Sequence, residues 1–84
     1  MNLNDPIDRD AACGVLGWAG EQGGWGTGGF TCKLLDAGAH ADGENLGRLA
    51  LGFPRLMHAL SVYKFDPNGI KRLQEAAGYK GAVR

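Results

Sequence analysis

The sequence predicts an all-α fold, a small bundle of four to five short helices with a glycine-rich loop after the first. Apolar residues recur at three- and four-residue spacings, and no stretch shows the apolar–polar alternation of a half-buried strand. Valine and isoleucine, which favour strands, number only five. The 84 residues are enough for one domain, residues 1–84, and we expect mobile ends at residues 1–4 and 79–84.

The first helix is predicted to begin at the Asp5-Pro6 pair, because aspartate caps helix starts and proline suits the first helical position. Its predicted apolar face is formed by Ile7, Ala11, Val15 and Trp18. Three glycines recur at every third position of the same helix: Gly14, Gly17 and Gly20. Because glycine lets another backbone come close, this side of the helix is expected to pack tightly or to contact a partner.

Residues 23–29 contain five glycines and are predicted to form a loop, since so many glycines disfavour helix and strand interiors. Gly24, Gly26 and Gly29 match the spacing of a dinucleotide-binding loop. That motif requires a preceding strand, however, and the preceding segment has a helical pattern. No cofactor is therefore expected.

Four further helices are each predicted from a start or stop signal and an apolar face. Asp42 and Asp66 are predicted caps, Gly52-Phe53-Pro54 ends the third helix and starts the fourth, and Gly78 ends the fifth. The predicted faces are Phe30, Leu34, Ala37 and Ala41; Leu46, Leu49, Ala50 and Phe53; Leu56, Ala59, Leu60 and Tyr63; and Ile70, Leu73 and Ala77.

Cys32, Asp36 and His40 lie four residues apart on the second predicted helix and are residue types that bind zinc. The outer two are separated by ~12 Å along a straight helix, too far for one tetrahedral ion. A polar outer face is the preferred interpretation, and no metal is expected. The same separation weakens a cysteine–histidine nucleophile, and Ser61, the one serine, lies within a predicted helix. We therefore expect no enzyme activity.

Nine basic and nine acidic residues cancel in formal charge, yet six of the bases lie in residues 53–84. This makes nucleic-acid binding the alternative function, through Arg55, Lys64, Lys71, Arg72 and Lys80. Most of these bases are isolated in sequence, which is more typical of a solvated surface, so nucleic acid is not the favoured partner. No apolar run is long enough to cross a membrane and no signal peptide is visible, so a cytoplasmic protein is expected.

The segment from Phe30-Thr-Cys-Lys-Leu-Leu35 through Ala41-Asp-Gly-Glu-Asn45 to Gly52-Phe-Pro54 resembles small proteins encoded by actinobacteriophages, notably mycobacteriophages. The similarity covers about residues 24–65. It implies a non-structural phage protein in the cytoplasm of the infected bacterium. The family has no established activity, so the resemblance assigns no site residues.

The leading hypothesis is a non-enzymatic accessory protein that contacts a host or phage protein, and a homodimer is also compatible with so small a core. Trp25 either folds into the core or stays exposed as a contact residue, since tryptophan is enriched at interface hot spots. The candidate partner-binding residues are Gly14, Gly17, Trp18, Gly20 and Trp25.

Overall fold

The computed structural model describes residues 2–79, which form five helices with no strand in that span. The helices are α1 (Arg9–Ala19), α2 (Gly29–His40), α3 (Gly43–Gly52), α4 (Pro54–Phe65) and α5 (Gly69–Ala77). The predicted all-α bundle with a loop after its first helix is confirmed. Most of the predicted mobile tail, Lys80 included, lies outside the described residues.

Helix α4 lies at the centre of the bundle and packs against each of the other four helices. Its six consecutive residues from Met57 to Val62 are all buried, whereas the sequence predicted burial of one face only. A helix that is covered on several sides has no solvent-facing stripe along its covered part, so periodicity understates its burial. The Ser61 hydroxyl is buried with them and donates a hydrogen bond to the Met57 carbonyl oxygen at 2.8 Å.

Helix α1 begins three residues later than the Asp5-Pro6 pair predicted. Asp8 is its N-cap, and the carboxylate accepts a hydrogen bond from the Ala11 amide at 3.0 Å. Asp5 instead closes a turn at the amino-terminal end, where its amide donates to the Asn2 carbonyl oxygen at 3.0 Å. Both aspartates have a side chain that suits an N-cap. Asp8 is the N-cap in the structure because the Ala11 amide lies within hydrogen-bonding distance of its carboxylate.

Asn2 and Leu3, which fall in the segment predicted to be mobile, are hydrogen-bonded to α4 and α5. Arg72 donates a hydrogen bond to the Leu3 carbonyl oxygen at 2.7 Å. Nε2 of the buried His58 lies 2.9 Å from the Asn2 carbonyl oxygen, which requires Nε2 to carry a proton because a carbonyl can only accept. The Leu3 side chain packs against the core.

The buried face of α2 was predicted only in part, since Leu34 and Ala41 pack against the core as expected but Phe30 and Ala37 do not. Leu35 and Gly38 are buried, whereas Phe30 is 70% exposed and Ala37 faces solvent. Gly38 contacts α4 so closely that a Cβ atom there would press on Leu60 and Met57. The missing side chain of Gly38 therefore lets this face approach α4, and an apolar-residue pattern cannot signal such a contact.

The two ends of α3 are as predicted, and the start of α5 is not. The Asp42 carboxylate accepts from the Asn45 amide at 2.8 Å, and α3 stops before Phe53 and Pro54. Helix α5, however, begins at Gly69 with Asn68 as N-cap, while Asp66 lies outside it. The predicted stop at Gly78 is confirmed by its left-handed backbone, with φ of +82°.

Candidate contact surface

The glycine-rich loop folds back across α1. The backbones of Gly17 and Gly24 come so close that a Cβ atom on either residue would overlap main-chain atoms of the other segment. The Thr27 hydroxyl donates a hydrogen bond to the Gly14 carbonyl oxygen at 2.9 Å, which holds the loop in place. The tight packing expected on this side of α1 is therefore supplied by the chain itself.

This packing changes the status of the glycines proposed for partner contact. Gly14 is buried and Gly17 lies beneath the Trp25 carbonyl oxygen, so neither offers a free surface. Gly20 is exposed and has a positive φ of 75°, and it ends α1 in a left-handed conformation. Gly20 therefore has a conformational role that accounts for it without a partner.

Trp18, another of these candidates, joins three helices of the fold. Its Nε1 donates a hydrogen bond to Oδ1 of Asp36 on α2 at 2.7 Å. Its ring meets Tyr63 of α4 edge to face, with centroids 5.8 Å apart. Such a geometry is favourable for aromatic pairs, and it makes Trp18 a structural residue.

The three side chains considered as metal ligands each have a different hydrogen-bond partner. Asp36 accepts from Trp18, and Nδ1 of His40 lies 2.9 Å from the Asp36 carbonyl oxygen. The Cys32 thiol donates to the Thr27 carbonyl oxygen at 3.4 Å. Within residues 2–79, no three histidine, cysteine or acidic side chains converge as a metal site would require.

Two of the basic candidates are engaged inside the fold. Nζ of Lys64 donates to the Gly38 carbonyl oxygen at 3.1 Å, and Arg72 forms an ion pair with Asp66 at 2.8 Å. The Arg72 guanidinium and the Asn68 amide both hydrogen-bond to this carboxylate, and they lower the pKa of Asp66 below its ordinary value. Of the proposed bases within residues 2–79, only Arg55 and Lys71 stand exposed.

Several large apolar side chains are exposed, among them the aromatic residues Trp25, Phe30, Phe53 and Phe65. Trp25 in the glycine loop is 52% exposed, so the structure shows it outside the core. Phe30, at the start of α2, and Phe53, between α3 and α4, have ring centroids 5.9 Å apart. The sequence pattern had placed both phenylalanines in the core, because their spacing matched the apolar stripes that continue into α2 and α3.

Two open grooves lie next to each other. The larger, about 1050 Å³, lies between the amino-terminal segment, α3 and the start of α4. The smaller, about 350 Å³, lies between the glycine loop, α1 and α4, and Trp25 lines it. Asp8 and Arg55 border both grooves. We define the end surface as Trp25, Phe30, Phe53 and Arg55.

Comparison with protein-family models, with curated proteins and with solved structures found no match. None of the helices within residues 2–79 combines the length and apolar character needed to cross a bilayer. Fold and surface together define a small five-helix module with several exposed aromatic side chains, two of which, Phe30 and Phe53, lie next to each other.

Proposed function

We propose that this chain is a small phage-encoded, non-enzymatic accessory protein that binds a host or phage protein through its end surface. The observation that carries the proposal is the exposed pair of Phe30 and Phe53, together with the exposed Trp25, which lines a groove with Arg55 at the start of α4. The resemblance of residues 24–65 to actinobacteriophage proteins supports the phage origin and a place in the cytoplasm of the infected host.

The exposed aromatic side chains of the end surface favour a contact function for a physical reason. Scattered exposed apolar residues are ordinary in soluble proteins, whereas grouped aromatic residues are typical of interaction sites. Tryptophan and arginine are both enriched among residues that dominate binding energy. The end surface contains both, since Trp25 and Arg55 line the smaller groove together.

The cysteine and serine nucleophiles are buried or hydrogen-bonded within the fold, which supports a non-enzymatic role. Cys13 is buried, and its burial raises the pKa of its thiol, so the nucleophilic thiolate is disfavoured. Cys32 donates to the Thr27 carbonyl oxygen, and Ser61 is buried and bonded to Met57.

Affinity purification from a lysate of the bacterial host tests the proposal. We expect Trp25→Ala and Phe30→Ala to reduce recovery of the bound protein, because each removes an exposed aromatic side chain from the end surface. Ile70→Ala is the matched control, since Ile70 is an exposed apolar residue on α5.

The captured protein is then purified, and its dissociation constant is measured against each variant. A loss of about tenfold or more for the two aromatic variants alone would support the proposal. Unchanged affinity for both aromatic variants, with native far-UV circular dichroism, would overturn the assignment of this surface.

The alternative function, nucleic-acid binding, is favoured by one observation, the exposure of Arg55 and Lys71 in the basic third of the chain. A gel shift at about 50 and 200 mM salt tests it, because phosphate contacts release counterions and weaken steeply with salt. Arg55→Gln is expected to weaken such a shift. No shift at the lower salt concentration would eliminate the alternative.

A further inference from the structure

Helix α3 has an uncovered face. Within residues 2–79 it packs against α4 and α2 only, and its opposite side is open to solvent. Leu51 on this side is 87% exposed, more than any other large apolar side chain in the described part of the chain. Covering this leucine with a partner would remove apolar surface from water, which favours association.

Beside Leu51, the same helix offers a hollow. Gly43 and Gly47 line the larger groove, and a Cβ atom on either glycine would meet no described heavy atom within 4 Å. The two glycines precede Leu51 by two turns and one turn of helix, about 12 and 6 Å along its axis. The α3 face, which we define as Gly43, Glu44, Gly47, Arg48 and Leu51, therefore carries both a projection and a depression.

We propose that a second copy of this chain docks on the α3 face, with the two α3 helices antiparallel about a twofold axis. In this arrangement, Leu51 of each copy enters the groove beside Gly43 of the other. A twofold interface uses one surface patch twice, so that patch must be complementary to itself. A projection and a depression on opposite ends of one short helix satisfy that condition.

The charges on the α3 face select the antiparallel direction. Glu44 and Arg48 form an exposed ion pair one turn apart, with 2.6 Å between the carboxylate and guanidinium. When two identical helices pack antiparallel, the side of one helix that carries these charges faces the same side of the other, and the two residue sequences run in opposite directions. Glu44 of each copy then lies near Arg48 of the other, whereas in a parallel pair the flank with these two charges would lie away from the same flank of the partner.

The dimer is expected to dissociate on dilution, because a face of one ten-residue helix and its groove lies at the small end of specific interfaces. The inference goes beyond the proposed function. It concerns a different partner and the neighbouring α3 face, which shares the larger groove with Arg55 of the end surface, and purified protein alone is sufficient to test it.

Sedimentation equilibrium of the full chain over a wide concentration range tests the dimer. We expect the mass to rise from that of an 8.9 kDa monomer to twice that value. Leu51→Glu should weaken association about tenfold or more, since it places a charge where an apolar group is buried. Ile70→Glu, an equally drastic change at an exposed position outside the α3 face, should leave association unchanged.

A charge exchange tests the antiparallel direction. Glu44→Arg and Arg48→Glu should each weaken self-association, because each places like charges across the twofold axis. An equimolar mixture of the two variants should associate better than either alone, since opposite charges then face each other throughout. No recovery in the mixture would overturn the antiparallel arrangement.

A wild-type chain that stays monomeric throughout, or a Leu51→Glu chain that associates like wild type, would overturn the dimer. Either result is distinct from a failure of the proposed function. Partner capture depends on Trp25 and Phe30, and Leu51→Glu leaves both of these residues in place.

Discussion

The carbonyl oxygen of Trp25 occupies the space where a Cβ atom would lie on any larger residue at Gly17. Glycine is therefore required at position 17 by main-chain contact with the loop, even though it weakens an isolated helix. The loop and α1 are one packed unit, and the position of the end-surface residue Trp25 depends on it.

Gly17→Ala is expected to lower the free energy of unfolding by about 2 kcal/mol or more, because the new methyl group overlaps backbone that can move only by displacing the loop. Gly14→Ala is the matched control in the same helix. A Cβ atom at Gly14 has open space, so this variant should gain about 0.5–1 kcal/mol from helix propensity. Urea denaturation measures both, and equal effects of the two substitutions would contradict the close approach.

The hydrogen bond from Trp18 to Asp36 is expected to stabilise the α1–α2 contact by about 0.5–1.5 kcal/mol. Trp18→Phe should lose this bond and keep most of the edge-on contact with Tyr63. Asp36→Ala removes the acceptor, whereas Asp36→Asn retains one. A double-mutant cycle on thermal unfolding isolates the pair, and a coupling energy of zero would refute the bond.

The ion pair between Asp66 and Arg72 should make stability depend on pH in acid. Its effect lowers the folded-state pKa of Asp66 below the ordinary 3.8, so the unfolded chain binds this proton more tightly. The stabilisation is complete above the ordinary pKa and is lost as pH falls through the lowered folded value. Asp66→Asn should therefore have a lower Tm than wild type at pH 7, with the difference shrinking toward pH 2.

Thermal unfolding followed by circular dichroism between pH 7 and pH 2 measures this difference. Arg72→Met supplies the control from the other side of the pair and should reduce the same acid dependence. A Tm difference between wild type and Asp66→Asn that stays constant over the whole range would contradict the assignment.

Leucines at the centre and at the surface should respond very differently to truncation. Leu60 on α4 is fully buried, so Leu60→Ala is expected to cost about 2–5 kcal/mol of unfolding free energy. Leu51→Ala should change stability by less than about 0.5 kcal/mol, measured at a concentration where the chain is monomeric. Similar losses for both variants would show that Leu51 is covered within the monomer.

The sequence was sufficient to predict the helical class, the loop and the helix boundaries at Asp42, Pro54 and Gly78, because these signals are local. It failed where a contact between segments far apart in the sequence determines which residues are buried. The contact of Gly38 with α4 leaves no trace in apolar spacing, and at Gly17 the sequence predicted close packing without indicating that the loop provides it. The start of α1 shows the same limit, because Asp5 and Asp8 can both cap a helix and the sequence does not distinguish between them.

The candidate surface was predicted only in part. Trp25 was identified from its residue type in an otherwise glycine-rich loop, which is a compositional signal. Phe30 and Phe53 were missed because each extends an apolar stripe beyond the point where the neighbouring helix stops covering it. Helix periodicity describes direction around an axis, and it carries no information on how far along that axis the covering helix reaches.

The central position of α4 also sets the order in which the chain can close during its synthesis. Helices α1, α2 and α3 leave the ribosome before the helix on which all three pack, and α1 must also wait for α5. The nascent chain therefore has no complete core until α5 has emerged. Any shortened product that ends before Pro54 lacks the helix on which α1, α2 and α3 all pack, so it exposes their apolar faces to aggregation.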